Sequence, residues 1–159
     1  NKSNKNLLKE NDFIFLLSLI IIDETDNTDY FLYKFNISNK DQKRIKNIYN
    51  FYKDRINLKT FTENNINKVF YYQGKETAID ILNYRIIKSK KLDNSLIELK
   101  MYYENKKLPE MPVTADLLMR KYEIPKGKQL GEKLKRIEAE WVKNNFKISD
   151  QQVDIIVNN

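Results

Sequence analysis

Apolar residues recur along most of the chain at spacings of three and four, which places them on one face of a helix. The longest such stripe has spacings of four, three and four and consists of Leu130, Leu134, Ile137 and Trp141. Alternating patterns typical of strands are missing, and three glycines leave little material for hairpin turns. The pattern therefore predicts an all-α protein.

Helix boundaries follow from residues that cap helix ends. Ser38, Thr62 and Thr114 each precede an amphipathic run, where a side-chain oxygen can accept from free backbone N–H groups. Ser149 and Gln152 form a capping-box pattern, and Gly74 suits the end of a helix. The predicted helices cover residues 11–23, 28–35, 39–56, 63–73, 75–88, 94–106, 115–121, 127–144 and 150–157.

The longest apolar run, FIFLLSLIII, has a serine inside it and covers Phe13 to Ile22. Spanning a bilayer takes roughly 20 apolar residues, so the run predicts a buried helix and no membrane partner. No signal peptide is visible, and the chain opens at Asn1 without a methionine. We therefore expect a piece of a longer, cytoplasmic protein.

Two prolines within the segment LPEMP, residues 108–112, favour a break between two units. The first, residues 1–107, is predicted to be a helical body, and the second, residues 108–159, a small helix-turn-helix-like tail. On the outer face of the long tail helix, Arg136 lies four residues from both Glu132 and Glu140. These spacings predict two ion pairs.

Residue types exclude several kinds of chemistry. Cysteine and histidine are both absent, so thiol chemistry and the usual general base are excluded, and only carboxylates are left as metal ligands. The acidic stretch DETDNTD lacks the spacing and glycine of a calcium-binding loop, and we interpret it as a solvated loop. We assign no catalytic residue and no metal ligand.

Positive charge is concentrated in one part of the chain. Residues 85–147 hold 16 Lys and Arg against 9 Asp and Glu, a net of +7, which equals the net charge of the whole chain. A lysine-rich composition can by itself make a protein basic. The concentration in one segment favours a polyanionic partner.

The stretch EIPKGKQLGEKL starts the long tail helix with two of the three glycines, Gly127 and Gly131. A helix start exposes backbone N–H groups and a partial positive charge, so Lys126, Lys128 and Lys133 do not favour the helix itself. Glycine lets a phosphate approach those N–H groups. A bound phosphate accounts for glycines and lysines together, whereas close helix packing accounts for the glycines alone.

Aromatic residues form a weaker signal. Tyr30, Phe31, Tyr33 and Phe35, and the pair Tyr71 and Tyr72, are candidates for stacking on bases. Their helical spacing favours core packing instead.

Several motifs resemble the C-terminal part of bacterial tRNA nucleotidyltransferases, the CCA-adding enzymes and related poly(A) polymerases. In the tail they are PVTADLL, IPKGKQLGEKL and EAEWVKNNF. In the body, FLLSLIII, FNISNKDQKRIKNI and YYQGKETAIDIL are similar to family segments. Two positions depart from the family pattern, because Ala115 and Glu123 stand where it has glycine.

The resemblance implies that body and tail hold tRNA or another RNA, recognised through shape and phosphates. It also implies that the intact enzyme adds nucleotides to RNA 3′ ends in a catalytic head that uses magnesium, CTP and ATP. Nothing in this chain fits the head, so we expect no cofactor here and no activity from the chain alone. Whether the parent enzyme builds CCA or poly(A) depends on the head.

Two alternatives stay open: a helical protein-interaction module, and a nonspecific duplex binder of helix-hairpin-helix type. If RNA is the partner, the run RIIKSKK at the end of a body helix adds candidate contacts to those of the tail. The predicted RNA-binding residues are Arg85, Lys88, Lys90, Lys91, Arg120, Lys121, Lys126, Gly127, Lys128, Gly131 and Lys133.

Overall fold

The computed structural model describes residues 12–23, 25, 27–53, 61–89 and 93–158, and in these residues it has nine helices and no strand. The all-α prediction is confirmed. We number the helices α1 Phe13–Ile21, α2 Asn27–Lys34, α3 Asn39–Lys53, α4 Glu63–Gln73, α5 Lys75–Lys88, α6 Asn94–Asn105, α7 Ala115–Tyr122, α8 Lys128–Lys143 and α9 Asp150–Asn158. Residue 11, where the first predicted helix begins, and residue 56, where the third ends, lie outside the described residues.

The predicted caps are present. Oxygens of Ser38, Thr62 and Thr114 accept from the backbone N–H three residues later. The capping box is reciprocal, because Ser149 N–H donates to Gln152 Oε1 at 2.9 Å and Gln152 N–H donates to Ser149 Oγ at 3.3 Å. Each such bond satisfies a donor that the first helical turn leaves free.

Gly74 separates α4 from α5 with φ +93 and ψ 164. Side chains with a Cβ rarely adopt this φ. A Cβ added there would meet nothing within 4 Å, so the backbone conformation alone explains the glycine. The chain turns here without a longer loop.

The body core is built where helices α1 to α6 meet. Its fully buried members include Phe15 on α1, Ile45 on α3, Phe70 on α4, Ile81 on α5 and Tyr103 on α6. Covering such side chains with neighbouring helices provides most of the stability of each helix.

The tail has a second cluster of buried side chains, drawn from α7, α8, α9 and the segments beside them. Leu118 and Ile137 are fully buried in it. The remaining members are Val113, Ile124, Leu130, Val153 and Val157. Residues 106–114, between α6 and α7, contain no helix. The division at residue 108 stays a prediction, because the tail also packs on the body.

The contact between tail and body is aromatic. Tyr71 of α4 lies edge-on to Trp141 of α8, with ring centroids 5.3 Å apart, and donates a hydrogen bond to Glu138 at 3.0 Å. Phe146 follows α8 and meets the Trp141 ring at 5.1 Å. Its φ of 62 is left-handed, a strained conformation for a bulky residue that this packing holds in place.

Lys106 also contributes to the contact between tail and body. Its ammonium lies 4.7 Å from the Phe146 ring centre and 4.5 Å from that of Tyr102, and it donates to Asn67 Oδ1 at 3.2 Å. A partly desolvated cation over aromatic rings contributes roughly 0.5–2 kcal/mol. Lys106 therefore ties the end of α6 to the tail.

Arg44 joins three body segments that lie far apart in sequence. Its guanidinium binds the Asp80 carboxylate twice, at 2.6 and 2.9 Å, and contacts Asp12 at 2.6 Å. Burial raises the pKa of Asp80, which the guanidinium opposes, and the pKa of Arg44 is raised by its bonds to Asp80. Two of the family-like stretches, FNISNKDQKRIKNI and YYQGKETAIDIL, are thus bound to each other.

Core packing was a wrong prediction for three of the four aromatic residues on α2 and directly after it. Tyr33 is 90% exposed, and Tyr30 and Phe35 are also exposed, although Phe35 stacks on the partly buried Phe31 at 4.4 Å. Helical spacing places side chains on one face but does not say whether another element covers that face. Within the described part of the chain, no helix is both long enough and apolar enough to cross a bilayer.

Candidate functional site

The start of α8 presents an open surface of backbone and glycine. Gly127 is the N-cap residue, and no side chain bonds to the cap. A Cβ added at Gly127 or Gly131 would meet nothing within 4 Å. Gly127 has φ 160, which is extended backbone, and neither glycine adopts the left-handed conformation that would require it. Packing against the described part of the chain therefore explains neither glycine. Their effect is to leave the first turn of α8 accessible from outside.

Two of the predicted lysines flank this surface, and the third does not. Lys126 is exposed, and the Lys128 side chain is 92% exposed, with its ammonium 3.8 Å from Glu132. Lys133 is half-buried and donates to the Val157 carbonyl at 2.5 Å. It thus caps the end of α9, where a cation complements the helix dipole. A structural role accounts for Lys133.

Arg120 and Lys121 lie at the C-terminal end of α7, which leads directly into the turn before α8. Arg120 is exposed and forms no ion pair with any residue that the structure describes. Lys121 lies 3.5 Å from Asp154, whose pKa is lowered by a hydrogen bond from the Tyr122 hydroxyl and by the Lys121 charge. Lys121 therefore has a partner within the tail.

The turn between α7 and α8 depends on one strained residue. Glu123 has φ 55 and ψ 28, the left-handed conformation that glycine adopts most readily. Ile124 follows and is buried in the tail core, which anchors the turn. Glu123 is the position at which the family pattern has glycine, so the departure identified in the sequence costs conformational energy here.

Two predicted residues of the body, Arg85 and Lys88, lie near the end of α5. Arg85 stacks on Phe61 at 5.4 Å, and Lys88 lies 5.6 Å from the Tyr84 ring centre, so both have aromatic partners within the body. Lys90 and Lys91 lie outside the described residues. The turn between α7 and α8 brings together six of the predicted residues: Arg120, Lys121, Lys126, Gly127, Lys128 and Gly131.

Residues 6–155 match the model of the family described as tRNA nucleotidyltransferase domain 2. The chain belongs to this family. The match includes both body and tail, and it confirms the resemblance drawn from the motifs. No curated protein and no solved structure matches the chain.

Membership makes this tRNA nucleotidyltransferase domain a part of a tRNA-related enzyme, and its residues can be tested for the metal chemistry that the resemblance implies. Two-metal nucleotidyl transfer needs carboxylates that converge on the ions. No group of three or more Asp or Glu side chains suited to a metal is gathered in the described ranges. In the acidic loop, Asp23 accepts from Thr25 and Asn27 instead. The described residues do not fit a magnesium–nucleotide site.

Sequence reasoning assigned Arg136 two ion pairs that do not form. The predicted pairs with Glu132 and Glu140 are wrong, because Glu132 lies near Lys128 at 3.8 Å and Glu140 near Lys143 at 3.4 Å. Each glutamate also has a lysine within about one helical turn, Lys128 for Glu132 and Lys143 for Glu140, and this competing partner is visible in the sequence. Arg136 is exposed and forms no ion pair within the described part of the domain.

Proposed function

We propose that this domain is the RNA-binding portion of an enzyme that adds nucleotides to RNA 3′ ends. The tail holds phosphates of tRNA, or of another RNA, at the turn between α7 and α8. Nucleotidyl transfer, with its magnesium, CTP and ATP, belongs to a catalytic head outside this chain. The choice between CCA and poly(A) is made in that head.

The open start of α8 is the observation that carries the proposal. Two glycines there have no packing reason within the described chain, and Lys126, Lys128 and Arg120 are exposed around them. Lysines beside the positive end of a helix reduce its stability slightly, so a bound anion is the simplest reason for their placement. The family match supports RNA as that anion.

The test is titration of labelled tRNA at several salt concentrations, with the domain and with Lys126→Ala/Lys128→Ala. Replacing two phosphate contacts should weaken binding and flatten the log–log salt dependence by roughly two units. The variant should melt like the wild type, because both side chains are exposed. Lys40→Ala/Lys43→Ala is the matched control, since it removes two exposed lysines from α3 of the body, outside the basic segment.

A tail variant that binds tRNA like the wild type, with the same salt slope, would overturn the phosphate site. Equal affinity for duplex DNA would favour the helix-hairpin-helix alternative. Incubation with tRNA lacking its 3′ end, magnesium, CTP and ATP should give no extension, and extension would mean that the chain holds a catalytic site of its own.

The protein-interaction alternative is favoured by one surface. The exposed apolar side chains of Ile20, Tyr30 and Phe35 line one open cavity beside α1 and α2, which has the character of a docking patch. If the domain binds no RNA even at low salt, this alternative becomes the better explanation.

A further inference from the structure

A groove of about 550 Å³ lies where α4 of the body meets α8 and α9 of the tail. Its walls are mainly apolar and include Tyr72, Val142, Ile155 and Ile156. Three cationic side chains line it as well, from Lys68, Arg136 and Lys143. The volume falls in the range of pockets that bind small molecules, roughly 300–1,000 Å³.

The Tyr72 ring forms a supported aromatic wall. Tyr72 is 54% exposed, and its ring meets Tyr71 edge-on at 5.1 Å. Tyr71 is in turn fixed by Glu138 and Trp141. The Tyr72 ring is fixed by its neighbour and about half of its surface is exposed, so it can stack on a planar group at low entropic cost.

The charge at the groove is unbalanced. Of the residues that line the groove, three are cations and one is a carboxylate, Glu140, which lies 3.4 Å from Lys143 and accepts from Asn144 at 2.8 Å. Glu138, which accepts from Tyr71, adds a second negative charge, because burial and the nearby Glu138 carboxylate together raise the pKa of Tyr72. Lys68 and Arg136 form no ion pair with any described residue. Arginine presents a planar fork of donors that matches phosphate oxygens. The groove therefore combines an apolar and aromatic wall with uncompensated positive charge.

We propose that this groove binds an unpaired nucleotide of RNA, with its base against Tyr72 and its phosphate at Arg136 and Lys68. The inference rests on the proposed function, and it adds a contact that is selective for single-stranded RNA. Paired RNA hides its bases, whereas an unstacked base can lie against an aromatic ring. The wall also exposes Ile155, but the cations beside it match a phosphate and not the apolar face of a protein helix.

The experiment measures binding of two RNA probes, a short single-stranded oligouridylate and a blunt RNA duplex. Tyr72→Ala should weaken oligouridylate binding about 5- to 150-fold, the range for one lost base stack, and Tyr72→Phe should bind like the wild type. Duplex binding should change little in either variant. Melting temperature shows whether Tyr72→Ala still folds, and Tyr72→Leu keeps an apolar contact with Tyr71 while removing the aromatic face.

Arg136→Gln should lower the salt slope for oligouridylate by about 0.7, the value for one phosphate on a single strand. Lys135→Gln is the matched control, because Lys135 is an exposed cation on the same helix that does not line the groove.

Three results would overturn the groove site: unchanged oligouridylate binding in Tyr72→Ala and Tyr72→Leu, equal losses with both probes, or equal effects of Arg136→Gln and Lys135→Gln. If tRNA binding still depends on Lys126 and Lys128, the proposed function survives that failure. If the wild-type domain binds neither probe nor tRNA, the proposed function itself fails.

Discussion

Replacing Arg44 with alanine should lower the free energy of unfolding by about 3–5 kcal/mol, because Asp80 would be left buried without its partner. The Asp80 side chain is only 4% exposed, and both of its carboxylate oxygens accept from the guanidinium. For a domain of this size the loss corresponds to roughly 6–20 °C in melting temperature. Urea unfolding followed by far-UV circular dichroism measures it, with an unchanged m value expected.

Two further variants separate burial from charge. Asp12→Asn removes the more exposed Arg44 partner while keeping an amide that can cap α1, so it should cost only about 0.2–1 kcal/mol. Arg44→Met with Asp80→Leu removes both buried charges and should be close to the wild type. The large cost should thus appear only when one charge is left alone.

The pH dependence of the Arg44→Ala variant supplies a second test. Burial raises the pKa of the Asp80 carboxyl, and removing Arg44 takes away the charge that opposes that shift. Because the pKa is raised in the folded state, the destabilisation caused by ionised Asp80 is absent below the unfolded-state pKa of about 3.9 and grows as pH rises. The difference from the wild type should therefore shrink in acid. A loss below about 1 kcal/mol at neutral pH would refute the reasoning, as would a difference that grows in acid.

Two further predictions concern the tail. Glu123→Gly should stabilise the domain by about 1 kcal/mol, seen as a higher melting temperature, because glycine adopts the left-handed conformation without strain; Glu123→Ala keeps the strain and should bring no such gain. Burial and the hydrogen bond to Glu138 raise the pKa of Tyr71 to about 12. The stability from this raised pKa is present below the ordinary value of about 10 and is lost as pH rises towards 12. Trp141 fluorescence should report loosening in that range, and Tyr71→Phe should reduce that pH dependence, leaving the part from Tyr84, whose pKa burial also raises to about 12; a wild-type signal that is flat from pH 10 to 12 would contradict the assignment.

Local sequence determined which segments are helical and where most of them begin. A cap such as Thr114 or Ser149 bonds to a backbone group within three residues, and apolar spacing of three and four acts within one helix. Such interactions need no knowledge of the rest of the chain. The same locality explains why the turn around Gly127, with its exposed lysines, was recognisable from twelve consecutive letters.

Only the tertiary structure decided which faces are covered and which charges meet. Arg44 and Asp80 are 36 residues apart, and no periodicity connects them. Tyr33 and Tyr72 have helical spacing like core residues, yet no described element covers them fully. Arg136 has two glutamates at pairing distance in sequence, but its side chain lines the groove between body and tail instead. Burial and pairing depend on how helices pack against one another, and that arrangement is set by the whole core at once.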